Sequence, residues 1–479
     1  MDDARPNVLL IASDTVGERM AGSGIRYWNL ARVIGAQQPV TLATPNAITL
    51  EAPSGVTIVP YGGSDASEDD RGRRLAELVA AHDVVVAQHL PYLYTDADVL
   101  ASRALVVDLY APWILEKLEY SRIDPERGEP NRKDDVTILT RLLSLGDFFL
   151  CASERQRDFW LGALATAGRL DLAHAQANPE LRTLLDVVPF GLPPDKPIKT
   201  GPGPRGTIDA INDGDIVLLW NGGLWNWLDP LTAIRATRLV VAREPRVKLV
   251  FMGTRSPGSQ VAEMEVAGAA RNLASELELL DTHVFFNDWV PYDQRQNWLL
   301  ESDLALSLHV ATVEARYAYR TRMLDNIWCG LPAVVTAGDV LADAVIEHDI
   351  GEVAPPGDID AVAAAIERAF DRNRARAMRA NLATLAVNRT WEAVSAPLLA
   401  YCAKPWKLGA SRGVDTAGAY LHQLERLYSQ TAGYARDLER VVSEKDAALV
   451  EMATGPARPP KRVLTRPDLG SLLRRGKRG

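Results

Sequence analysis

A chain of 479 residues is longer than one hydrophobic core usually organises, so two domains and an appendage are the starting expectation. With 53 basic against 62 acidic side chains the formal net charge is −9, which argues against a chain-wide nucleic-acid binder; 47% apolar residues are ordinary for a globular protein. Cys151, Cys329 and Cys402 lack metal-type spacing and two of them sit in apolar runs, which predicts free thiols in a reducing compartment. Met1–Arg5 lacks the basic-then-apolar pattern of a secretory leader, and no apolar stretch approaches the ~20 residues that span a bilayer, so a cytoplasmic setting is expected.

Through residue 200 the chain repeats a short β-branched run followed by an amphipathic stretch. The runs are Asn7–Ser13, Val40–Thr44, Val56–Tyr61, Asp83–Gln88, Ala104–Tyr110, Phe148–Ser153 and Leu185–Phe190, with helices such as Arg26–Ile34, Arg71–His82 and Glu154–Leu164 between them. Near-continuous apolar strands alternating with helices predict a parallel sheet buried on both faces. Lys199–Asn212, rich in Gly and Pro, reads as a linker. The alternation restarts with strands at Asp215–Trp220, Lys248–Gly253, His283–Asn287, Leu304–His309 and Pro332–Thr336, and helices near Pro230–Val241, Gln294–Ser302, Arg320–Trp328 and Ile359–Phe370. The expected fold class is α/β, with doubly wound domains at 1–200 and 201–405 facing a cleft that holds the chemistry.

The last eighty residues change character. Apolar residues recur at heptad spacing over 416–452, as Leu421, Tyr428, Ala435, Val442 and Leu449 beside Leu424, Thr431, Leu438, Lys445 and Met452. This predicts either a coiled coil or one amphipathic helix packed on the body. Residues 453–479 carry four prolines and eight basic side chains against one acid, and read as a disordered tail able to touch anionic lipid.

Several loops carry candidate chemistry. Gly22, Ser23, Gly24 and Arg26 follow the first strand, where glycines let backbone N–H groups approach an anion, although a tight turn explains them equally. Asp108 ends the fifth strand, at the expected lip of the first domain, where it could bind acceptor hydroxyls or take a proton; His89 after the fourth strand is a weaker candidate. In the second domain Asn221, Gly222 and Gly223 open a loop whose Trp225 and Trp227 either stack on a sugar or base or fill the core. Arg316, Arg320 and Arg322 cluster at a helix start, where the helix dipole favours acids, and this conflict points to an anion such as a pyrophosphate. Glu314, Tyr317, Thr321 and Asp325 belong to the same stretch, with Asp325 placed to accept ribose hydroxyls. The D-x-D triplets at Asp96, Asp213 and Asp358 have chance-level spacing, and no metal site is expected.

With these residues the chain resembles the retaining GT-B glycosyltransferases, family four in particular, over about its first 400 residues. The resemblance rests on Ala21–Arg26, Cys151–Arg157, Val188–Gly191, Cys329–Thr336 and Gly351–Asp358, taken in order. The family's pair of acids, with seven residues between them, falls here on Tyr317 and Asp325. Its phosphate-loop Gly-Arg…Lys-Gly is replaced by Asn221-Gly222-Gly223, and its histidine by Asp108. The resemblance implies metal-independent, cofactor-free, retaining transfer from a nucleotide-sugar donor to a glycan or lipid-linked acceptor. Arg320 and Arg322 would hold the leaving diphosphate, Glu314 the donor sugar, and Asp108 with Gly22–Gly24 the acceptor. A homo-oligomer or partner protein at 416–452 and peripheral membrane contact are further expectations, in a setting of surface-polysaccharide or glycolipid synthesis. The alternatives are a catalytically silent scaffold and a nucleotide-sugar epimerase on the same fold.

Overall fold

The computed structural model describes residues 5–18, 20, 22–62, 67–89, 99–100, 102–123, 125–254, 265–408, 428 and 431–446. Residues 1–412 form one compact unit and 413–479 another. Within the first, β1 (Val8–Ile11), β2 (Val40–Thr44), β3 (Val56–Pro60), β4 (Val84–Ala87), β5 (Ala104–Asp108), β6 (Phe148–Cys151) and β7 (Leu185–Val187) make a seven-stranded sheet ordered β3-β2-β1-β4-β5-β6-β7. A six-stranded sheet follows, built from β8 (Ile216–Trp220), β9 (Val247–Phe251), β10 (Val284–Phe286), β11 (Leu304–Ser307), β12 (Ala333–Thr336) and β13 (Gly351–Ala354), ordered β10-β9-β8-β11-β12-β13. Every pairing within them is parallel. The all-buried β1, β4, β5 and β6 are the unbroken apolar runs such sheets require.

Strand order reverses between β1 and β4 and again between β8 and β11, so the loops beyond those strands are where a ligand crevice opens. The β8 and β11 loops are tied together: Leu228 bridges His309, and the Asp229 amide donates to the Leu308 carbonyl at 3.0 Å. Helices next to the crevice start on side-chain caps, from Ser153, Asp229, Thr312 and Asp339. The helix Arg322–Cys329 stops at Gly330, whose φ of 65° ends it left-handed before Pro332 and β12.

One domain boundary differs from expectation, at the C-terminal end of the second domain, while its start near 201 does not. The linker is pinned to the second domain, with Thr200 and Gly201 amides on Asn297 and Arg205 on Asp303. Beyond Thr390, which bridges Leu192, the chain returns to the first sheet: Tyr401 stacks on Phe148 at 4.9 Å, Gln38 donates to the Cys402 carbonyl, and the Leu408 amide donates to Asp147. Residues 391–408 therefore close the first domain, because their aromatic face has its partners there. Strand β13 and the helices Trp113–Ile123 and Pro125–Leu145 were not expected as elements; Gly351 and the prolines at 125 and 130 mask their patterns.

The second unit is described at Tyr428 and as a helix over 431–446, with Tyr434, Leu438 and Val442 exposed. Heptad positions Leu421, Leu424, Leu449 and Met452 and the tail at 453–479 lie outside the described residues, as does Asp96. Cys151, Cys329 and Cys402 are free thiols, and no helix of the described residues is long and apolar enough to cross a membrane.

Candidate active site at the strand switch points

A cavity of about 380 Å³ opens where the loops after β1 and β4 meet the segment after β11. Its first-domain wall carries Asp14, Gly22, Ser23, Gln88, His89 and Glu116; across it stand Trp225, Glu314, Arg320 and Thr321. A larger depression, lined by Pro189, His348, Asn381 and Arg389, has neither a carboxylate nor a glycine loop.

On the second-domain side, the segment after β11 folds into a short helix, Val313–Tyr317, and the helix Arg322–Cys329. Arg320 and Glu314 face each other as a buried two-bond pair, Nη1 to Oε1 at 3.1 Å and Nη2 to Oε2 at 2.8 Å. The Arg320 Nε lies 3.8 Å from Asp339, which in turn sits 3.5 Å from His309 Nε2. Arg320 is thereby neutralised, and Glu314 has both oxygens occupied. They build the cavity wall rather than supplying free charge.

Arg322 is different. No carboxylate pairs with it among the described residues. Its Nη1 is buried without a hydrogen-bond partner, Nη2 reaches the Gly223 carbonyl at 3.3 Å, and the guanidinium lies 5.5 Å from the Trp220 ring centroid. Burial, with Arg320 adding repulsion, pushes its pKa down to about 9. A cation so placed lacks an anion. Asn221 fixes it by donating from Nδ2 to the Arg322 carbonyl at 2.8 Å. Gly222 adopts φ 119°, and the amides of Gly222 and Gly223 make no hydrogen bond within the protein among the described residues.

At the helix start the amides of Met323 and Leu324 are not free, since they close onto the carbonyls of Arg320 and Thr321. Two further residues turn away. Arg316 is exposed, its carbonyl accepting from Arg155 of the first domain, which also donates to the Gly338 carbonyl and pairs with Asp343. Tyr317 packs on Phe159 at 4.9 Å while its carbonyl accepts from Gln156. Both serve the contact between domains. Asp325 accepts at Oδ1 from Arg295 Nε at 2.9 Å and keeps Oδ2 without a partner among the described residues.

The first-domain side corrects the reading of Asp108. Its side chain is fully buried, holding Arg26 Nε at 2.7 Å and Nη2 at 2.9 Å, while Arg26 Nη1 donates to the Pro189 carbonyl. Asp108 ends β5 facing the core, so it locks the first helix to the sheet and offers nothing to the cleft. Gly24 is explained by packing: a Cβ there would stand 2.3 Å from the Thr15 carbonyl oxygen. Gly22 and Ser23 do line the cavity, with Ser23 donating to Gln88 at 3.3 Å. His89 lies 4.7 Å from Trp113, its pKa pushed down to about 4 by burial and Lys117, so it is neutral.

The carboxylate that does face the cavity is Glu116, missed in the sequence. It lies in the first turn of Trp113–Ile123, just after Pro112, which was the available signal. No hydrogen bond or ion pair engages its side chain among the described residues, and burial, reinforced by Glu314, raises its pKa to about 7. No group of three or more His, Cys, Asp or Glu side chains among the described residues is arranged to hold a metal ion.

Comparison with known proteins places this geometry. The family model described as "Glycosyl transferases group 1" matches residues 215–372, which include the Gly222 loop, Glu314, Arg320, Arg322 and Asp325. No curated protein matches in sequence. Among solved structures, Anabaena HepE in complex with UDP is 16% identical, covering 82% of this chain and 98% of its own, with a TM-score of 0.57. Sucrose-phosphate synthase from Thermosynechococcus elongatus is 15% identical, covering 82% and 97%, with a TM-score of 0.54. The UDP-forming trehalose-phosphate synthase from Burkholderia xenovorans is 14% identical, covering 84% and 99%, with a TM-score of 0.58. The chain has the two-domain GT-B fold of these structures, and its second domain matches the model of the group 1 glycosyl transferases.

Proposed function

We propose that the protein transfers a sugar from a nucleoside-diphosphate sugar to an acceptor hydroxyl in the cleft. The observation that carries this reading is Arg322, an uncompensated guanidinium beside the open amides of Gly222 and Gly223. It is supported by the family match over that segment and by structural neighbours whose names include UDP. In the reaction, the bond from the anomeric carbon to the diphosphate oxygen breaks and the acceptor oxygen bonds to that carbon on the face the diphosphate leaves, as retention requires. The acceptor proton passes to Glu116, a carboxylate tuned near neutrality, as a general base should be. Charge developing on the diphosphate is met by Arg322 and the two glycine amides, already in place before reaction. The free oxygen of Asp325 accepts from the ribose, and the Glu314–Arg320 pair shapes the sugar pocket. Retention of anomeric configuration and independence from metal belong to this proposal through the family resemblance, as do a glycan or lipid-linked acceptor and a setting in surface-polysaccharide or glycolipid synthesis.

A second reading, a silent scaffold that binds nucleotide sugar without turnover, is favoured by one observation. Tyr317, where the resembling family has its first acid, is spent on Phe159. Incubation with UDP-, GDP- and TDP-sugars separates the two. Acceptor-dependent nucleotide release supports transfer; tight binding with no release across the panel supports the scaffold.

A further inference from the structure

Among the described residues, the basic side chains that border the first-domain half of the cavity are held by partners, Lys117 by Asp135 at 3.9 Å. Arg26 is sealed in the core with Nε and Nη2 on Asp108 and Nη1 on the Pro189 carbonyl. Arg320, across the cleft, has both terminal nitrogens on Glu314. What the first domain presents to the cavity is Asp14, Ser23, Gln88, His89 and Glu116: two carboxylates, a hydroxyl, an amide and an imidazole. Among the described residues that wall has no cation. The imidazole is kept neutral by its burial. Facing this wall is Trp225, half-buried and stacked in parallel on Trp227 at 5.4 Å and 3° between planes. Such a flat, braced indole offers the surface against which the apolar face of a sugar ring packs.

We infer that the acceptor half of the cleft is a subsite for an uncharged polyhydroxylated ring, and that it discriminates against a phosphorylated or carboxylated acceptor. Hydroxyl hydrogens donate to the acids and the amide oxygen, while a phosphate there meets two carboxylates with no counter-charge. The anionic part of the reaction is thereby confined to the Arg322 side, which keeps a donor diphosphate and a neutral acceptor from binding in reversed orientation. The inference rests on the transfer reading and specifies its acceptor.

The test is saturation-transfer NMR on the full chain, run in parallel with UDP, GDP or TDP present. The probes are the methyl α-glycosides of glucose, galactose and mannose, and the same three carrying a 6-phosphate. At least one neutral glycoside is expected to bind, its 6-phosphate at least tenfold more weakly, and Trp225→Ala to abolish the signal. Asp14→Asn is expected to narrow the gap between a glycoside and its phosphate at least threefold. Binding of a 6-phosphate as tight as its neutral partner overturns the inference, and so does the failure of all three neutral glycosides. Nucleotide binding in the same samples separates the two levels. If UDP, GDP and TDP all fail to bind, the transfer reading itself falls; if one binds and phosphates are preferred, only the acceptor assignment falls.

Discussion

Replacing Arg322 with Met should make the empty protein more stable and the donor site much weaker. The substitution keeps the side-chain stem and removes the guanidinium. In the free protein the charge is held from an ordinary 12.5 down to about 9. At about 1.4 kcal/mol for each tenfold change in protonation constant, that is a penalty on the order of 5 kcal/mol before relaxation. The Gly223 bond returns about 1 kcal/mol and the Trp220 ring about 0.5–1 kcal/mol. Allowing for relaxation and water penetration, a gain of about 1–3 kcal/mol remains, or roughly 2–10 °C in Tm for a domain of this size. Donor binding should move the other way. A guanidinium–phosphate hydrogen bond contributes about 1.5–3 kcal/mol, so the Kd for the nucleoside diphosphate should rise roughly 10- to 150-fold. Calorimetric titration of UDP, GDP and TDP, with thermal unfolding of the apo protein, reads both sides. Unchanged nucleotide affinity, or a lowered Tm, would refute the reasoning by making Arg322 a structural residue.

Three other perturbations follow from the geometry. With Glu116 raised to about 7, its proton-accepting form dominates above that pH, so kcat/KM should climb between pH 6 and 8 and level off. Glu116→Gln should flatten that profile and lower the rate about 10²- to 10⁴-fold, whereas an unchanged profile would remove Glu116 from the proton path. Asp108→Ala strands Arg26 in the core, which should cost about 3–5 kcal/mol, while the pair Arg26→Met with Asp108→Leu should recover most of it; equal unfolding temperatures for wild type and single variant would contradict this. Gly222→Ala forces a side chain onto φ 119°, and should weaken nucleotide binding about 5- to 150-fold through about 1–3 kcal/mol of backbone strain at the phosphate loop. Wild-type affinity in that variant, by the same titration, would separate the loop from the donor.

Much of the fold was legible because burial on both faces leaves a mark on each strand. Runs such as Val84–Ala87 and Phe148–Cys151 are apolar at every position, and β-strands of that kind allow few alternatives. Harder to read was anything decided by side-chain direction or by return of the chain. Asp108 looks like a lip residue because it ends a strand, yet period-two alternation turns it inward to Arg26, 82 positions away in sequence. The arginine cluster was visible at Arg320 and Arg322, but no local pattern says which has a partner; Glu314, six residues before Arg320, decides that by folding back as a short helix. Glu116 was hidden because the helical hairpin between β5 and β6 carries prolines that interrupt its pattern. The second domain was likewise expected to run to residue 405, since the aromatic pairing of Tyr401 with Phe148 is a long-range fact.

The most direct test of the account is to follow a labelled sugar. The full chain, given radiolabelled UDP-, GDP- and TDP-sugars with a panel of neutral glycosides, is predicted to move label from one donor to an acceptor, releasing one nucleoside diphosphate per sugar transferred. Arg322→Met should abolish that transfer while remaining folded. Label that stays on the donor across the panel, or transfer that proceeds at the wild-type rate without Arg322, would contradict it.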